Sequence, residues 1–245
     1  GGDARRRQRP PGGGPGQGSG PPPRNEADYA DMFALDNGLR VVSLALHATR
    51  GVSLPEETIG GLDALVELYF TSSVGFTNLP ADIGDLPRLE YLAMPNSRLA
   101  AIPPSIGKLD TLRGLYVNFN LLTSLPVEMG GMRSLRELHV LGNFVTEIPE
   151  GLLGGMPLLQ VLNVENNRLT ALPDDIGALE MLETLNAENN ELRALPASIA
   201  RLAALRTVSL GSNRLTSVHG LMDSWARLSR LGLENNALQD LDIDF

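Results

Sequence analysis

Two carboxylates, Glu165 and Glu188, occupy equivalent places in a pattern that recurs along the chain. Successive copies of such a pattern lie about 5 Å apart in a parallel sheet, so these side chains could reach the separation used by retaining glycosidases. Hydrolysis also needs an enclosed site that raises the pKa of one carboxyl group. Side chains on an open sheet stay solvated. We therefore predict no catalytic activity.

Asparagines flank the two carboxylates at positions 163, 166, 186 and 189. Carboxylate and amide oxygens together could form a weak cation site. The alternative is a solvated acidic face with no ligand. Only the geometry of these side chains separates the two interpretations.

Other catalytic or metal-binding groups are scattered or missing. His47 and His139 are predicted to lie about 19 Å apart at strand spacing, and His219 falls in an irregular segment. The chain has no cysteine, which excludes thiolate nucleophiles and thiolate metal ligands. The glycine-rich run near the start lacks the flanking strand, helix and Lys-Ser/Thr of a phosphate-binding loop. We predict no metal, cofactor or small-molecule substrate.

A pattern of 23 or 24 residues recurs nine times over residues 41–245, most regularly as LQVLNVENNRLTALPDDIGALEM at 159–181. Self-similarity at this period indicates a solenoid, in which each copy stacks on the next. Equivalent residues then form columns along the stack, and we number positions from the first apolar residue of each copy. The nine copies begin at Val41, Leu65, Leu89, Leu112, Leu135, Leu159, Leu182, Leu205 and Leu228.

The first half of each copy predicts a short strand and a turn. Its opening alternates apolar and polar residues, which favours a strand with one buried face. Position 9 is Asn from the fourth copy onward, and a buried Asn amide can donate to and accept from the unpaired backbone groups of a turn. Thr49, Ser73 and Ser97 hold this position in the first three copies, where they should do the same less fully.

The second half of the copy reads L-P-x-x-I-G-x-L, as at residues 172–179. Proline pre-sets the backbone for the start of a short helix. Paired glycines at 60–61, 130–131 and 154–155 are predicted to take a positive φ at the helix ends.

These motifs resemble the leucine-rich repeat family over residues 41–245, and the second half is similar to its intracellular Ras-group, plant-type subclass. The resemblance implies an α/β solenoid, a curved horseshoe of about nine repeats. Its parallel sheet lines the concave side, and short helical or 3-10 segments lie on the convex side. It also implies a surface that binds proteins, without naming the partner.

Two further segments precede the repeats. Residues 1–24 are rich in Gly, Pro and Arg and carry a net charge of +4, which predicts a disordered tail or linker; an RNA- or membrane-binding basic patch is the alternative. Residues 25–40 predict an amphipathic helix that caps the first repeat. The ninth repeat is incomplete, so we expect the natural chain to continue or another subunit to cover this end.

The composition limits the setting and the partners. The chain has no cysteine and no Asn-x-Ser/Thr acceptor, which favours an intracellular, cytoplasmic protein over a secreted one. No apolar run reaches the roughly 20 residues of a membrane-spanning helix. The net charge of −9 disfavours nucleic acid as the main partner.

The outward columns of the strands predict where a protein partner binds. Repeats two to five gather large apolar or aromatic residues, and repeats six to nine display Asn and Glu, which would steer a basic segment of the partner. The alternative is that the large residues merely cover one another across strands. The predicted contact residues are Tyr69, Tyr91, Tyr116, Phe119, His139, Leu141, Asn163, Glu165, Asn186 and Glu188.

The sequence thus predicts a non-catalytic interaction module or scaffold that acts in intracellular signalling or complex assembly. Two alternatives stay open. The chain could be a structural subunit of a large assembly, or the repeat arm of a larger signalling enzyme such as a kinase, phosphatase, cyclase or GTPase.

Overall fold

The computed structural model describes residues 33–239 except for 36–37, 39, 48–53, 56, 58, 72–75, 219 and 222–223. In this part of the chain ten strands form one sheet in sequence order, and nine of them, β2 to β10, are parallel. The predicted leucine-rich repeat solenoid is confirmed. The strands are β1 (Phe33–Leu35), β2 (Val41–His47), β3 (Glu67–Thr71), β4 (Tyr91–Ala93), β5 (Gly114–Tyr116), β6 (Glu137–His139), β7 (Val161–Asn163), β8 (Thr184–Asn186), β9 (Thr207–Ser209) and β10 (Arg230–Gly232).

The segment before the repeats differs from the prediction. Strand β1 pairs antiparallel with β2, with Phe33 opposite Leu44. The helix predicted over residues 25–40 is therefore wrong for Phe33–Leu35, and residues 1–32 lie outside the described part of the chain. The physical reason is the edge of β2, whose backbone N–H and C=O groups need partners that another strand supplies and a helix does not.

One continuous core fills the space behind the sheet. Leu115 pairs in register with Leu92 on one side and Leu138 on the other, and all three are buried. The same apolar positions of the other repeats join them in a single cluster. Because the alternation is strict, the residues between these leucines point to the opposite face of the sheet.

Short 3-10 helices return the chain on the far side of this core. Five of the six described helices directly follow a proline, whose φ of −66° to −71° is already suited to a helix start. The proline thus sets the turn as predicted. The helices are Ala81–Asp85, Pro104–Lys108, Val127–Gly131, Leu153–Gly155, Asp174–Ala178 and Ala197–Arg201.

A ladder of buried asparagines connects consecutive repeats. The Asn143 Nδ2 donates to the carbonyl oxygens of Val140 at 2.8 Å and of Val117, in the preceding repeat, at 3.0 Å. Its Oδ1 accepts the N–H of Leu122, also in the preceding repeat, at 3.1 Å. One amide therefore satisfies backbone groups of two repeats at once. The same bonds recur at Asn120, Asn167, Asn190, Asn213 and Asn236.

Serine does this less fully, as predicted. The Ser97 Oγ donates to the Pro95 carbonyl oxygen, at 3.3 Å, within its own repeat. Thr49 and Ser73 lie outside the described residues. Between the first two repeats a different residue, Asn78, exchanges two hydrogen bonds with the backbone of Leu54 at 2.7 and 2.8 Å.

Glycines allow the 3-10 helices to stack at the spacing of the strands. A Cβ atom on Gly107 would lie 2.0 Å from the Glu128 carbonyl oxygen, and one on Gly155 would lie 2.1 Å from the Gly130 carbonyl oxygen. None of the paired glycines has a positive φ, so that prediction is wrong. Several glycines of this column are required by close backbone approach and not by backbone conformation.

Replacing Asn143 by alanine should destabilise the fold strongly. The change leaves the Leu122 N–H buried without a partner and removes one of the two asparagine donors of the Val117 and Val140 carbonyl oxygens, which costs about 1–3 kcal/mol in the free energy of unfolding. Urea unfolding measures this. Ser97→Ala is the matched control and should cost less than about 1 kcal/mol, because it loses one bond within its own repeat. If the two variants lost the same free energy of unfolding, the buried asparagine would not be a link between consecutive repeats.

Replacing Gly107 by alanine should also destabilise the protein, by roughly 1–3 kcal/mol, because the added methyl group would overlap the Glu128 backbone. Gly61→Ala is the control, since a Cβ there meets nothing within 4 Å. Thermal unfolding of the two variants should separate them. A Gly107→Ala protein as stable as the control would show that the helices are not tightly stacked.

Candidate functional site

The outer face of the sheet in repeats two to four carries a cluster of tyrosines. Tyr69, Ala93 and Tyr116 are buried against one another, with Tyr91 packed beside them. Gly114 makes room for this cluster, because a Cβ there would lie 2.7 Å from the Tyr116 ring and 3.0 Å from the Tyr91 ring. Glycine at this one strand position lets both rings approach the backbone closely.

This packing corrects part of the predicted contact set. Tyr69 and Tyr116 were expected to be exposed, but each is 5 % exposed. Cross-strand covering, the alternative interpretation, holds for these two residues. A partner bound to this face would therefore contact Tyr91, Phe119, His139 and Leu141 rather than the two buried tyrosines. We call these six residues, including the two buried tyrosines, the aromatic patch.

A half-buried glutamate, Glu137, contacts both Tyr116 and His139 at the centre of this patch. The Tyr116 hydroxyl donates to the Glu137 carboxylate at 2.8 Å. The His139 Nε2 lies 3.5 Å from the same carboxylate, which is longer than an ordinary hydrogen bond. The His139 ring also stacks on the Tyr116 ring, with 4.9 Å between centroids. The three side chains therefore hold one another in place.

These contacts change the acidity of two groups. The His139 imidazole lowers the pKa of Glu137 most, burial opposes it, and the Tyr116 hydroxyl adds to the lowering. Burial raises the pKa of Tyr116, and its bond to the Glu137 carboxylate raises it further. Glu137 thus stays ionised and Tyr116 stays a donor, which preserves the hydrogen bond at neutral pH.

Position 8 of the repeat has a left-handed backbone from the third repeat to the ninth. Asparagine, glycine and serine tolerate this conformation better than bulky residues do. Phe119 is the exception, with a φ of 54°. The column consists of Asn96, Phe119, Gly142, Asn166, Asn189, Ser212 and Asn235.

The Phe119 ring is the most exposed large apolar side chain of the described residues, at 51 %. It lies over Gly142 in the next repeat, where a Cβ would come within 2.5 Å of the ring. Leu141, next to that glycine, is half-buried. The structure thus holds an aromatic ring outward in a strained conformation, at a cost on the order of 1 kcal/mol.

Three carboxylates line position 7 beyond this patch: Glu165, Glu188 and Glu234, which we call the acidic column. Asn166 and Asn186 each donate an amide hydrogen to Glu165, both at 2.8 Å. A Cβ on Gly211 would lie 2.8 Å from the Glu234 carboxyl carbon, so the Glu234 side chain leans over that glycine towards repeat eight. None of the three has an ion-pair partner among the described residues.

This geometry does not favour a metal. The amide nitrogens of Asn166 and Asn186 face the Glu165 carboxylate, while the amide oxygens of Asn163 and Asn186 accept backbone N–H groups. The carboxylate and amide oxygens therefore do not converge on a position that a cation could occupy. Across the described residues no group of three His, Asp or Glu side chains could hold a metal ion.

The sequence interpretation missed three residues that shape the site. Gly114 and Gly142 make room for aromatic rings of the aromatic patch, and Glu137 links two of its members. The sequence does carry a signal for the glycines, because each directly follows an aromatic residue in its column: Gly114 follows Tyr91, and Gly142 follows Phe119. The role of Glu137 carried no signal, since it depends on side-chain directions across two strands.

Comparisons with known proteins agree with this architecture. A profile of the family described as Leucine rich repeat matches residues 133–192, while no curated protein matches the chain. The ectodomain of the plant membrane receptor kinase GASSHO1/SCHENGEN3 from Arabidopsis thaliana, solved with CASPARIAN STRIP INTEGRITY FACTOR 2, is 27 % identical. Its TM-score is 0.76, and the match covers 84 % of this chain and 26 % of that one.

Two bacterial structures are also similar. A leucine-rich repeat protein of Leptospira interrogans is 26 % identical with a TM-score of 0.61, over 86 % of this chain and 66 % of that one. Internalin C2 of Listeria monocytogenes, 21 % identical with a TM-score of 0.65 over 84 % and 83 % of the chains, shows the fold alone. The chain spans about a quarter of the plant ectodomain's length.

The repeat, the asparagine ladder and the similar structures together define a leucine-rich repeat solenoid, and residues 133–192 match the leucine-rich repeat family itself. Proteins of this class are typically protein–protein interaction modules and generally lack catalytic activity. In the described part of the chain, no helix has the length and apolar character needed to cross a membrane.

The lowered pKa of Glu137 makes a pH-dependent prediction. A carboxyl group with a lowered pKa in the folded state stabilises the fold above its unfolded value and loses this contribution as the pH falls through the folded value. Glu137→Gln should therefore lose roughly 1–3 kcal/mol at pH 7 and much less in acid. Urea unfolding at both pH values measures the difference. The exposed Glu147→Gln control should stay within about 0.5 kcal/mol of wild type at pH 7, and a pH-independent loss in Glu137→Gln would contradict the assignment.

Proposed function

We propose that this chain is a non-catalytic recognition module that binds a protein partner on the concave face of repeats three to seven. The observation that carries the proposal is Phe119, an exposed aromatic ring in a left-handed backbone conformation. Folding alone would favour Asn or Gly there, because these residues occupy most of the same column without the strain. Rigid aromatic side chains are the residues that most often dominate protein interfaces.

The partner's chemistry follows from what lies beside this ring. Leu141 and the edge of His139 continue the apolar surface, and the acidic column begins one repeat further on. Because these carboxylates have no ion-pair partner among the described residues and lie next to the exposed Phe119 ring, they favour a partner segment that contains both an apolar and a basic residue. The proposed contact set is the exposed part of the aromatic patch (Tyr91, Phe119, His139 and Leu141) with Asn163, Glu165, Asn186 and Glu188.

We further infer an intracellular, cytoplasmic role in signalling or complex assembly, within the Ras-group subclass of the repeat. The absence of cysteine and of Asn-x-Ser/Thr acceptors supports the location. The L-P-x-x-I-G-x-L half of the repeat supports the subclass. Similar structures include a receptor ectodomain, so the location needs its own measurement; fractionation of cells that express the protein supplies it.

Phe119→Asn tests the binding site without harming the fold. Asparagine suits the left-handed backbone, so the free energy of unfolding should stay level or rise by up to about 1 kcal/mol. Partner recovery in affinity purification with quantitative mass spectrometry should fall at least roughly ten-fold, as loss of an interface anchor implies. Glu165→Gln/Glu188→Gln should weaken the same partners and reduce their sensitivity to salt.

Val127→Ser is the matched control for lost apolar surface, because Val127 is 48 % exposed and lies on a 3-10 helix on the opposite side of the core. It should recover the same partners as wild type. Identical recovery by wild type and a folded Phe119→Asn protein would overturn the proposed site.

A further inference from the structure

Position 10, the residue after the buried asparagine, forms a column at the rim where the chain leaves the sheet. Four consecutive members of this column are exposed, and we call them the rim strip: Arg98, Leu121, Phe144 and Arg168. The column continues with Glu191, Arg214 and Ala237. The rim strip lies outside the concave face and has no part in the proposed function above.

Backbone hydrogen bonds fix the spacing of the rim strip. The N–H of Leu121 donates to the Leu99 carbonyl oxygen at 3.0 Å, and the N–H of Phe144 donates to that of Leu122 at 2.8 Å. Arg168 bonds to repeat five in the same way, at 2.9 Å. Each residue is thus tied to the repeat before it, and neighbours follow one another at about the 4.8 Å of adjacent strands.

The centre of the rim strip is apolar and open. Leu121 is 45 % exposed and Phe144 is 38 % exposed, on adjacent repeats. Elsewhere in the described column the residues are charged or small. Two large apolar side chains side by side on a surface favour an interface more than one alone would.

An arginine lies at each end of the rim strip: Arg98 at one end and Arg168 at the other. The Arg168 guanidinium lies over the Phe144 ring, 4.9 Å from its centroid. Among the described residues neither Arg98 nor Arg168 forms an ion pair. Further along the same column, by contrast, Arg214 pairs with Glu191 at 2.9 Å. In a chain of net charge −9 this surface is locally positive.

We propose that the rim strip binds an extended protein segment in which two acidic residues bracket apolar ones. Three strand spacings, about 14 Å, separate the two arginines along the stack, and an extended segment covers that length in about four residues. Its carboxylates would meet the guanidiniums, and its apolar side chains would cover Leu121 and Phe144. A polyanion such as nucleic acid fits poorly, because the remaining surface is acidic.

Selection from a random peptide library displayed on phage tests this directly. Panning on the wild-type protein should enrich peptides with acidic residues on both sides of apolar ones. Fluorescein-labelled copies of the enriched peptides should bind at least roughly ten-fold more weakly to Arg98→Glu/Arg168→Glu in fluorescence anisotropy. Leu121→Ser/Phe144→Ser should weaken binding to a similar extent.

Two controls separate the rim strip from general charge and from the concave face. Arg193→Glu/Arg201→Glu reverses two exposed arginines outside the strip and should leave binding unchanged. Glu165→Gln/Glu188→Gln should also leave binding of the enriched peptides unchanged. A negative result for the rim strip can therefore be told apart from a negative result for the proposed concave site. The proposal is overturned if selection enriches no peptides, if the enriched peptides lack acidic residues, or if the charge-reversed rim variant binds them as wild type does.

Discussion

A buried asparagine amide that bonds to the backbone of two consecutive repeats is the interaction on which the rest of the structure depends. A strand of three residues makes too few ladder hydrogen bonds to hold a repeat in register by itself. The amide adds bonds in both directions and satisfies carbonyl and N–H groups that the turn would otherwise bury unpaired. Hydrophobic burial supplies the driving force, and the amide determines which repeat lies where.

The close and even stacking of the repeats limits how long side chains pack on the outer face of the sheet. Side chains longer than the strand spacing must lie across a neighbouring residue, and glycine provides the space. Phe119 lies over Gly142, Glu234 leans over Gly211, and the Tyr116 ring needs Gly114 beside it. The surface is therefore shaped by pairs of a large residue and a glycine, each pair interrupting an otherwise regular column.

The outer face of the sheet and the rim strip, which lie on either side of the asparagine ladder, differ in charge. On the outer face of the sheet, aromatic residues give way towards the C-terminal repeats to carboxylates that have no ion-pair partner among the described residues. At the rim, two apolar side chains lie between uncompensated arginines. A single solenoid of this kind can present two surfaces to partners of opposite charge, because consecutive positions of one repeat face in different directions.

The repeat, its register, the parallel sheet and the role of position 9 could all be predicted from the amino-acid pattern, because these features recur at a fixed period. The pattern also placed Phe119, Leu141 and the acidic column on one face. Only the tertiary structure showed that Tyr69 and Tyr116 are covered while Phe119 is exposed, because this depends on how side chains lie across Gly114 and Gly142. The β1 pairing and the Glu137 contacts were likewise decided by the free edge of a strand and by side-chain directions, and neither has a periodic signal.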